Sequence, residues 1–242
     1  MKKSINWQIA TVAAIKDETP KTKSILLQLP NWTPHLAGQH YNLRLTAEDG
    51  YTAMRSYSVA TGVDVKHAIE LTIDKVPDGE VSEFIHEVLE VGDRLEVRGP
   101  IGGYFVWKPN IKKKLFLIGG GSGIVPLMSI LRSQQGQRDV KLLYSSQSPE
   151  LAIYKQELDC LAQQPWFDLH YTFTRSQPDG WTGYARRVDY EMIMELLETG
   201  AVSDYMAYVC GPTAFVEFVA NTLKDEGMLP ASIRTERFGP SS

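Results

Sequence analysis

Near residue 110 the rhythm of the apolar residues changes, and that change constrains the fold more than any single motif. From residue 7 to about 106 the chain reads as short strands. The runs WQIATVAAI, KSILLQL, HYNLRLT, TAMRSYSVA, AIELTIDKV and DRLEVRGP are alternating or β-branched, and Gly, Pro, Asp and Asn punctuate them. These six segments predict a small antiparallel barrel. One helix interrupts them: in GEVSEFIHEVLEVGD, Val81, Phe84, Ile85, Val88 and Leu89 form a stripe at helical spacing that Gly92 ends. From about residue 112, strand and helix alternate through KKLFLIGG, IVPLMSILRSQ, DVKLLYSS, ELAIYKQELDCLAQQ, FDLHYTFTR, YEMIMELLETG, YMAYVCG, AFVEFVANTLKDEG and SIRTERF. Such alternation predicts crossover units and a parallel sheet with helices on both faces. The stretch WKPNIKKK separates the two patterns, so two domains are expected, 1–110 and 111–242.

Composition narrows the class. With 43% apolar and 22% charged residues the chain is an ordinary globular protein, and its net charge of −4 gives no reason to expect nucleic acid or an anionic membrane as partner. Lys2 and Lys3 precede an apolar-leaning stretch, but Trp7, Gln8 and Thr11 interrupt it and Lys16 ends it, which argues against a secretion signal. No later run approaches the ~18 apolar residues of a membrane span. A cytoplasmic protein is expected. Cys160 and Cys210 are the only cysteines, too few for a zinc ribbon or a thiolate-held iron–sulfur cluster, and no pair of the five histidines has metal-ligand spacing. No metal site is expected.

Three stretches carry chemistry. In MRSYSVATG an arginine, a tyrosine and two serines occupy what reads as a buried alternating strand, where each uncompensated polar group would cost about 1–3 kcal/mol. A polar ligand should therefore meet them. Arg55 suits a phosphate, Tyr57 on the same face offers an aromatic surface, and Ser56 and Ser58 offer hydroxyls. In LFLIGGGSGIVP an apolar strand runs through glycines into a helix, a form that exposes backbone N–H groups to an anion. The dinucleotide fingerprint is incomplete, because Ile124 stands where a third glycine would be, and Ser145 and Ser146 follow the next strand where an acidic ribose ligand would be. A tight strand-to-helix turn would look the same. GEVSEF offers a second such entrance at Gly79 with the Ser82 hydroxyl, and a plain helix cap would also explain it.

Taken together, AGQHYNL, RSYS at 55–58, GEVS at 79–82, RGPIGGYF at 98–105, GGGSGIVPL, YVCGP at 208–212 and ERF at 236–238 follow the order and spacing of the ferredoxin–NADP+ reductase-like flavoproteins, which this chain resembles over nearly its whole length. The resemblance implies a Greek-key barrel that holds FAD and a following α/β domain that holds NADH or NADPH. It implies that Arg55 binds the flavin phosphate, with Ser56 beside it, that Tyr57 packs on the isoalloxazine, and that Ser58 bonds near its N5. Gly79, Glu80, Val81 and Ser82 would take the pyrophosphate, which points to FAD rather than FMN. Gly99 and Pro100 match the turn that closes the barrel. The loop of Gly119, Gly120, Gly121, Ser122 and Gly123 would lie beside the nucleotide pyrophosphate, and Cys210, Gly211 and Pro212 beside the nicotinamide. Glu236 and Phe238 would serve as the carboxylate and the aromatic cover of the flavin. The chain continues past Phe238 to Ser242, unlike members that end on the aromatic.

The expected activity is that of an NAD(P)H-dependent flavin oxidoreductase, with Ser58, Cys210 and Glu236 as its catalytic helpers. It would pass electrons to a separate acceptor: a ferredoxin, flavodoxin, cytochrome, or oxidase or oxygenase component. No cysteine cluster for a fused iron–sulfur domain is present. Ser145, with Arg175 at a strand end and Arg186 and Arg187 after it, suits a 2′-phosphate and so favours NADPH over NADH. Two other readings stay open: a flavin-free docking or regulatory subunit, and a free flavin reductase.

Overall fold

The structure, a computed structural model, describes residues 5–197 and 202–239. It divides into two compact units: residues up to Lys108 together with Met128–Ser133, and the remainder.

In the first unit β1 (Gln8–Thr19), β2 (Thr22–Gln28), β3 (His40–Thr46), β4 (Thr52–Ser58), β5 (Ala68–Asp74) and β6 (Arg94–Ile101) form one antiparallel sheet in the order β4-β3-β6-β1-β2-β5. Alternation along these strands turns Ala10, Val12, Ile25, Leu27, Leu43, Leu71, Ile73 and Val97 into a common core. Just past β4, a bridge between Val59 and Leu71 and a bond from the Ala60 amide to the Glu70 carbonyl (2.8 Å) join the two outer strands, so the sheet curls toward closure. Helix α1 (Glu80–Glu87) sends Val81 and Ile85 into this core. The expected stripe is shorter than its spacing suggested: the helix stops at Glu87, and Val88 turns out to 58% exposure while Leu89 stays buried. Met128–Ser133 group with this unit through polar bonds. The Ser129 hydroxyl donates to the Thr61 carbonyl (2.8 Å), and Arg132 reaches both the Ala60 carbonyl and the Glu70 carboxylate.

The second unit holds β7 (Lys114–Gly120), β8 (Val140–Ser146), β9 (Phe167–Phe173), β10 (Tyr205–Pro212) and β11 (Ile233–Phe238), all parallel, in the order β11-β10-β7-β8-β9. Between them lie α2 (Ile124–Gln134), α3 (Lys155–Leu161), α4 (Tyr190–Leu196) and α5 (Thr213–Asp225). One set of alternate strand residues, including Phe116, Ile118, Ala207 and Val209, packs on α4 and α5. The other set, including Leu117, Leu142 and Tyr208, is equally buried, as a parallel sheet covered on both faces requires. The Asp189 side chain caps α4 by accepting from the Met192 amide (2.9 Å). The sequence run for this helix extends to Gly200, and its last residues lie outside those described.

One expected helix is broken. The run from Glu150 to Gln164 opens with a single 3-10 turn (Pro149–Leu151), passes through Tyr154 at φ +58°, and becomes helical only at Lys155. Ala152, Ile153 and Tyr154 are all buried, and the Ile153 amide donates to the Tyr144 hydroxyl (3.0 Å). Three consecutive buried side chains cannot share one helix face, so burial overrides local helix preference here.

The tightest point of the second unit is Gly123. A β-carbon there would fall 2.1 Å from the Cys210 carbonyl oxygen, which is backbone and cannot move aside cheaply. At Gly103 a β-carbon would meet nothing within 4 Å. We expect Gly123→Ala to destabilise the protein by about 1–3 kcal/mol and lower the melting temperature by several degrees, with Gly103→Ala within about 0.5 kcal/mol of wild type. Thermal melts of the two variants check this.

Candidate functional site

The phosphate-suited stretch at 54–62 is buried only from Ser58 onward, not throughout as its pattern suggested. β4 is an outer strand of its sheet, and Met54, Arg55 and Ser56 are exposed, Tyr57 half-buried and only Ser58 buried. Tyr41 lies opposite Tyr57, Leu43 opposite Arg55 and His40 opposite Ser58. Arg55 and Tyr57 share one face, and the Arg55 guanidinium donates to the Met54 carbonyl (2.7 Å), leaving most of its donors turned to the surface. Burial pushes the Tyr57 phenol up to about 12, against the opposing influence of Arg55. Ser56 faces the other way and donates to Asn42 Oδ1 (2.8 Å), so its hydroxyl is engaged within the sheet.

The start of α1 lies beside β4. Gly79 is its N-cap, with an extended backbone and no side-chain cap. A β-carbon on Gly79 would sit 2.5 Å from Ser82 Oγ and 2.9 Å from the Val76 carbonyl oxygen, so this tight entrance accepts only glycine. The amides of Glu80, Val81 and Ser82 belong to the first helical turn, which has no acceptor inside the helix. The Ser82 hydroxyl is turned inward, donating to the Gly79 carbonyl (3.0 Å) and accepting from the Val76 amide (3.1 Å). It shapes the entrance; the open donors are the backbone amides. Their positive end and the Arg55 cation fit a phosphate-bearing group.

In the second unit the expected residues gather at the carboxyl ends of adjacent parallel strands. Gly119 lies opposite Cys210 and Tyr144, Gly120 opposite Ser145, and Cys210 opposite Glu236. Phe238 lies opposite Pro212. The chain runs from β7 to β8 on one side and places β10 on the other, so the ends of β7 and β10 flank the point where strand order reverses, where open α/β sheets bind ligands. The glycines divide by role. Gly123 is filled by the Cys210 carbonyl, whereas Gly121 has φ +55° and open space around it, the position where a ligand can approach backbone. Gly121–Gly123 forms one 3-10 turn leading into α2.

Cys210 is fully buried. Burial, and then the Glu236 carboxylate, hold its thiol well above the ordinary range, so it stays protonated and is no nucleophile. Ser145 is half-buried, while Ser146 is buried and donates to the Ser148 carbonyl (3.1 Å). The Arg175 amide donates to the Gln147 carbonyl (2.9 Å), which brings the end of β9 next to the end of β8, and its side chain is exposed. Arg186 pairs with Asp189 and lies over the Tyr184 ring (5.6 Å). Both Arg186 and Arg187 are exposed.

A contact absent from the sequence reading is that of Tyr51, whose hydroxyl donates to both carboxylate oxygens of Glu80 (3.1 and 3.0 Å). The Asp49-Gly50 turn just before it was the available signal, since it marks a hairpin tip that carries the aromatic toward α1. Among the described residues no cluster of His, Cys, Asp or Glu could hold a metal ion, and no helix is long and apolar enough to cross a membrane.

Comparison with known proteins agrees with this division of chemistry. The oxidoreductase FAD-binding domain family matches residues 10–106, and the oxidoreductase NAD-binding domain family matches residues 117–221. The chain is 33% identical over 211 residues to the glycine betaine monooxygenase reductase subunit of Chromohalobacter salexigens, covering 84% of this chain and 55% of that protein. It is 28% identical to NADH-cytochrome b5 reductase 2 of Yarrowia lipolytica, covering 96% of this chain and 83% of that one. It spans little more than half the length of the curated relatives it matches first. In fold it is similar to a ferredoxin NADP+ reductase from Neisseria gonorrhoeae, with a TM-score of 0.84 at 23% identity, covering 97% of this chain and 99% of that structure. The chain therefore belongs to the oxidoreductases in which an FAD-binding domain is followed by an NAD-binding domain, and it has the fold of a ferredoxin NADP+ reductase.

Proposed function

We propose that this chain oxidises NADPH or NADH through FAD and delivers the electrons to a separate protein acceptor, as the reductase component of a multicomponent system. The observation that carries this reading is the gathering of Gly121, Ser145, Cys210 and Glu236 at the point where strand order reverses, in a chain that also carries the Arg55 and Gly79 phosphate cradle. Residues 1–110 serve as the flavin part and 111–242 as the nucleotide part. The acceptor is a ferredoxin, flavodoxin, cytochrome or oxygenase component; the names of the relatives, a monooxygenase reductase subunit and a cytochrome b5 reductase, support this class. The two unbridged cysteines suit a reducing compartment, here the cytoplasm.

FAD supplies the exchange between two-electron and one-electron chemistry. The protein's work is to bind, orient and keep water out. Arg55 neutralises the flavin phosphate, the first-turn amides at Glu80, Val81 and Ser82 receive the second phosphate, and Tyr57 packs on the ring. Ser58, buried beside His40, presents a hydroxyl to the ring edge. In the nucleotide part, Gly120, Gly121 and Ser122 offer backbone to the pyrophosphate, while Gly211 and Pro212 shape the nicotinamide end. Cys210, held as a neutral thiol, gives that end a small uncharged wall, and Glu236 holds a proton-accepting carboxylate next to it. Ser56, engaged with Asn42, keeps β4 in register for its neighbours.

Ser145 in place of an acid and Arg175 beside it favour the 2′-phosphate of NADPH. Anaerobic mixing with NADPH and NADH in parallel should bleach the flavin absorbance faster with NADPH, and a screen of one-electron carriers should then restore it; a flavin bleached by neither nucleotide overturns the reading. Arg175→Ala should raise KM for NADPH roughly tenfold, the scale of one charge-assisted contact, and leave KM for NADH within about twofold. Equal losses for both nucleotides in steady-state kinetics would remove Arg175 from the 2′-phosphate site.

A further inference from the structure

The entrance of α1 contains a conflict. Its first-turn amides are suited to a phosphate, yet its first residue is Glu80, a carboxylate that the same positive helix end attracts. Left to itself, that carboxylate would lie over the amides and repel an incoming anion. The structure gives both its oxygens a partner. Tyr51 stands on the connection between β3 and β4, 57% exposed, and its hydroxyl donates to both oxygens of Glu80. Tyr51 is itself held: its amide donates to Asp49 Oδ1 (3.0 Å), and its carbonyl accepts from the Ala47 amide (2.9 Å). The other first-turn acid, Glu83, is turned back onto the Asp78 amide (3.0 Å). Both acids at this entrance are thus engaged by hydrogen bonds.

We propose that Tyr51 is a latch that holds the Glu80 carboxylate off the first turn of α1, so that the second phosphate of FAD can reach the amides there, and that the latch thereby favours FAD over FMN. This rests on the assignment of that turn to the flavin diphosphate. FMN carries one phosphate, which Arg55 satisfies, so it does not need the turn cleared. Removing the latch hydroxyl frees a negative charge beside the second phosphate only, and removing the charge makes the latch unnecessary.

The test uses the full chain reconstituted with FAD or with FMN, diluted in series at low salt, with free flavin read by fluorescence. Tyr51→Phe should raise the Kd for FAD roughly tenfold, the scale of a like-charge contact near a surface, and change the Kd for FMN less than about twofold. Glu80→Gln in the Tyr51→Phe background should return the FAD Kd to the wild-type value or below, and high salt should shrink the Tyr51→Phe effect. Rescue by a second substitution separates a charge effect from a merely structural role of the ring. An unchanged FAD Kd in Tyr51→Phe, equal weakening of FMN, or no rescue by Glu80→Gln would overturn the latch while leaving the flavoprotein reading intact. Wild-type protein that retained neither flavin would overturn that reading and the latch with it.

Discussion

Much of the nucleotide-binding half depends on one backbone approach, that of the Gly123 α-carbon to the Cys210 carbonyl. Gly123 ends the 3-10 turn that follows β7, and Cys210 lies near the end of β10, on either side of the point where strand order reverses. Closing the loops so tightly brings Gly121, with its open backbone, level with the strand ends that carry Ser145, Cys210 and Glu236. A larger residue at 123 would separate the β7 and β10 ends and disperse the site. The incomplete dinucleotide fingerprint has the same origin. Ile124, standing where a third glycine would be, begins α2 as a fully buried residue, so helix-to-sheet packing at this point is made by an apolar side chain.

The flavin half works by different physics. Its polar groups stand on an outer strand and at a helix entrance, where solvent covers whatever a ligand does not, and order comes from hydrogen bonds: Ser56 to Asn42, Ser82 across its own turn, Tyr51 to Glu80. Each removes one side chain from competition and leaves particular donors open, namely most of those of the Arg55 guanidinium and the first-turn amides. Arg132 and Ser129 contribute in the same way at the loop around Ala60 and Thr61, which extends this unit to a segment remote in sequence.

Most of the architecture was legible from periodicity because each strand or helix had one uniform environment. The six N-terminal strands and the alternating C-terminal elements fall where the apolar rhythm placed them. The failures share a cause. Ala152, Ile153 and Tyr154 leave the helical path to be buried together, Val88 loses its place when α1 stops at Glu87, and the polar strand at 54–58 reads as covered although it lies at an edge. In each, a neighbour distant in sequence sets the environment, and local pattern carries no information about it.

The sequence by itself determined the kinds of groups available: a guanidinium, first-turn amides after glycine, a cysteine and a carboxylate at strand ends, and serine where an acid would exclude a 2′-phosphate. Composition, spacing and residue chemistry are local properties, so they can be read along the chain. Only the tertiary structure decided which groups remain free to act. It pairs Arg186 with Asp189, it keeps Cys210 a neutral thiol by burying it beside Glu236, and it draws the Glu80 carboxylate to Tyr51. Hydrogen bonds and desolvation act between residues brought together in space, and their effect is fixed once the fold has chosen the partners.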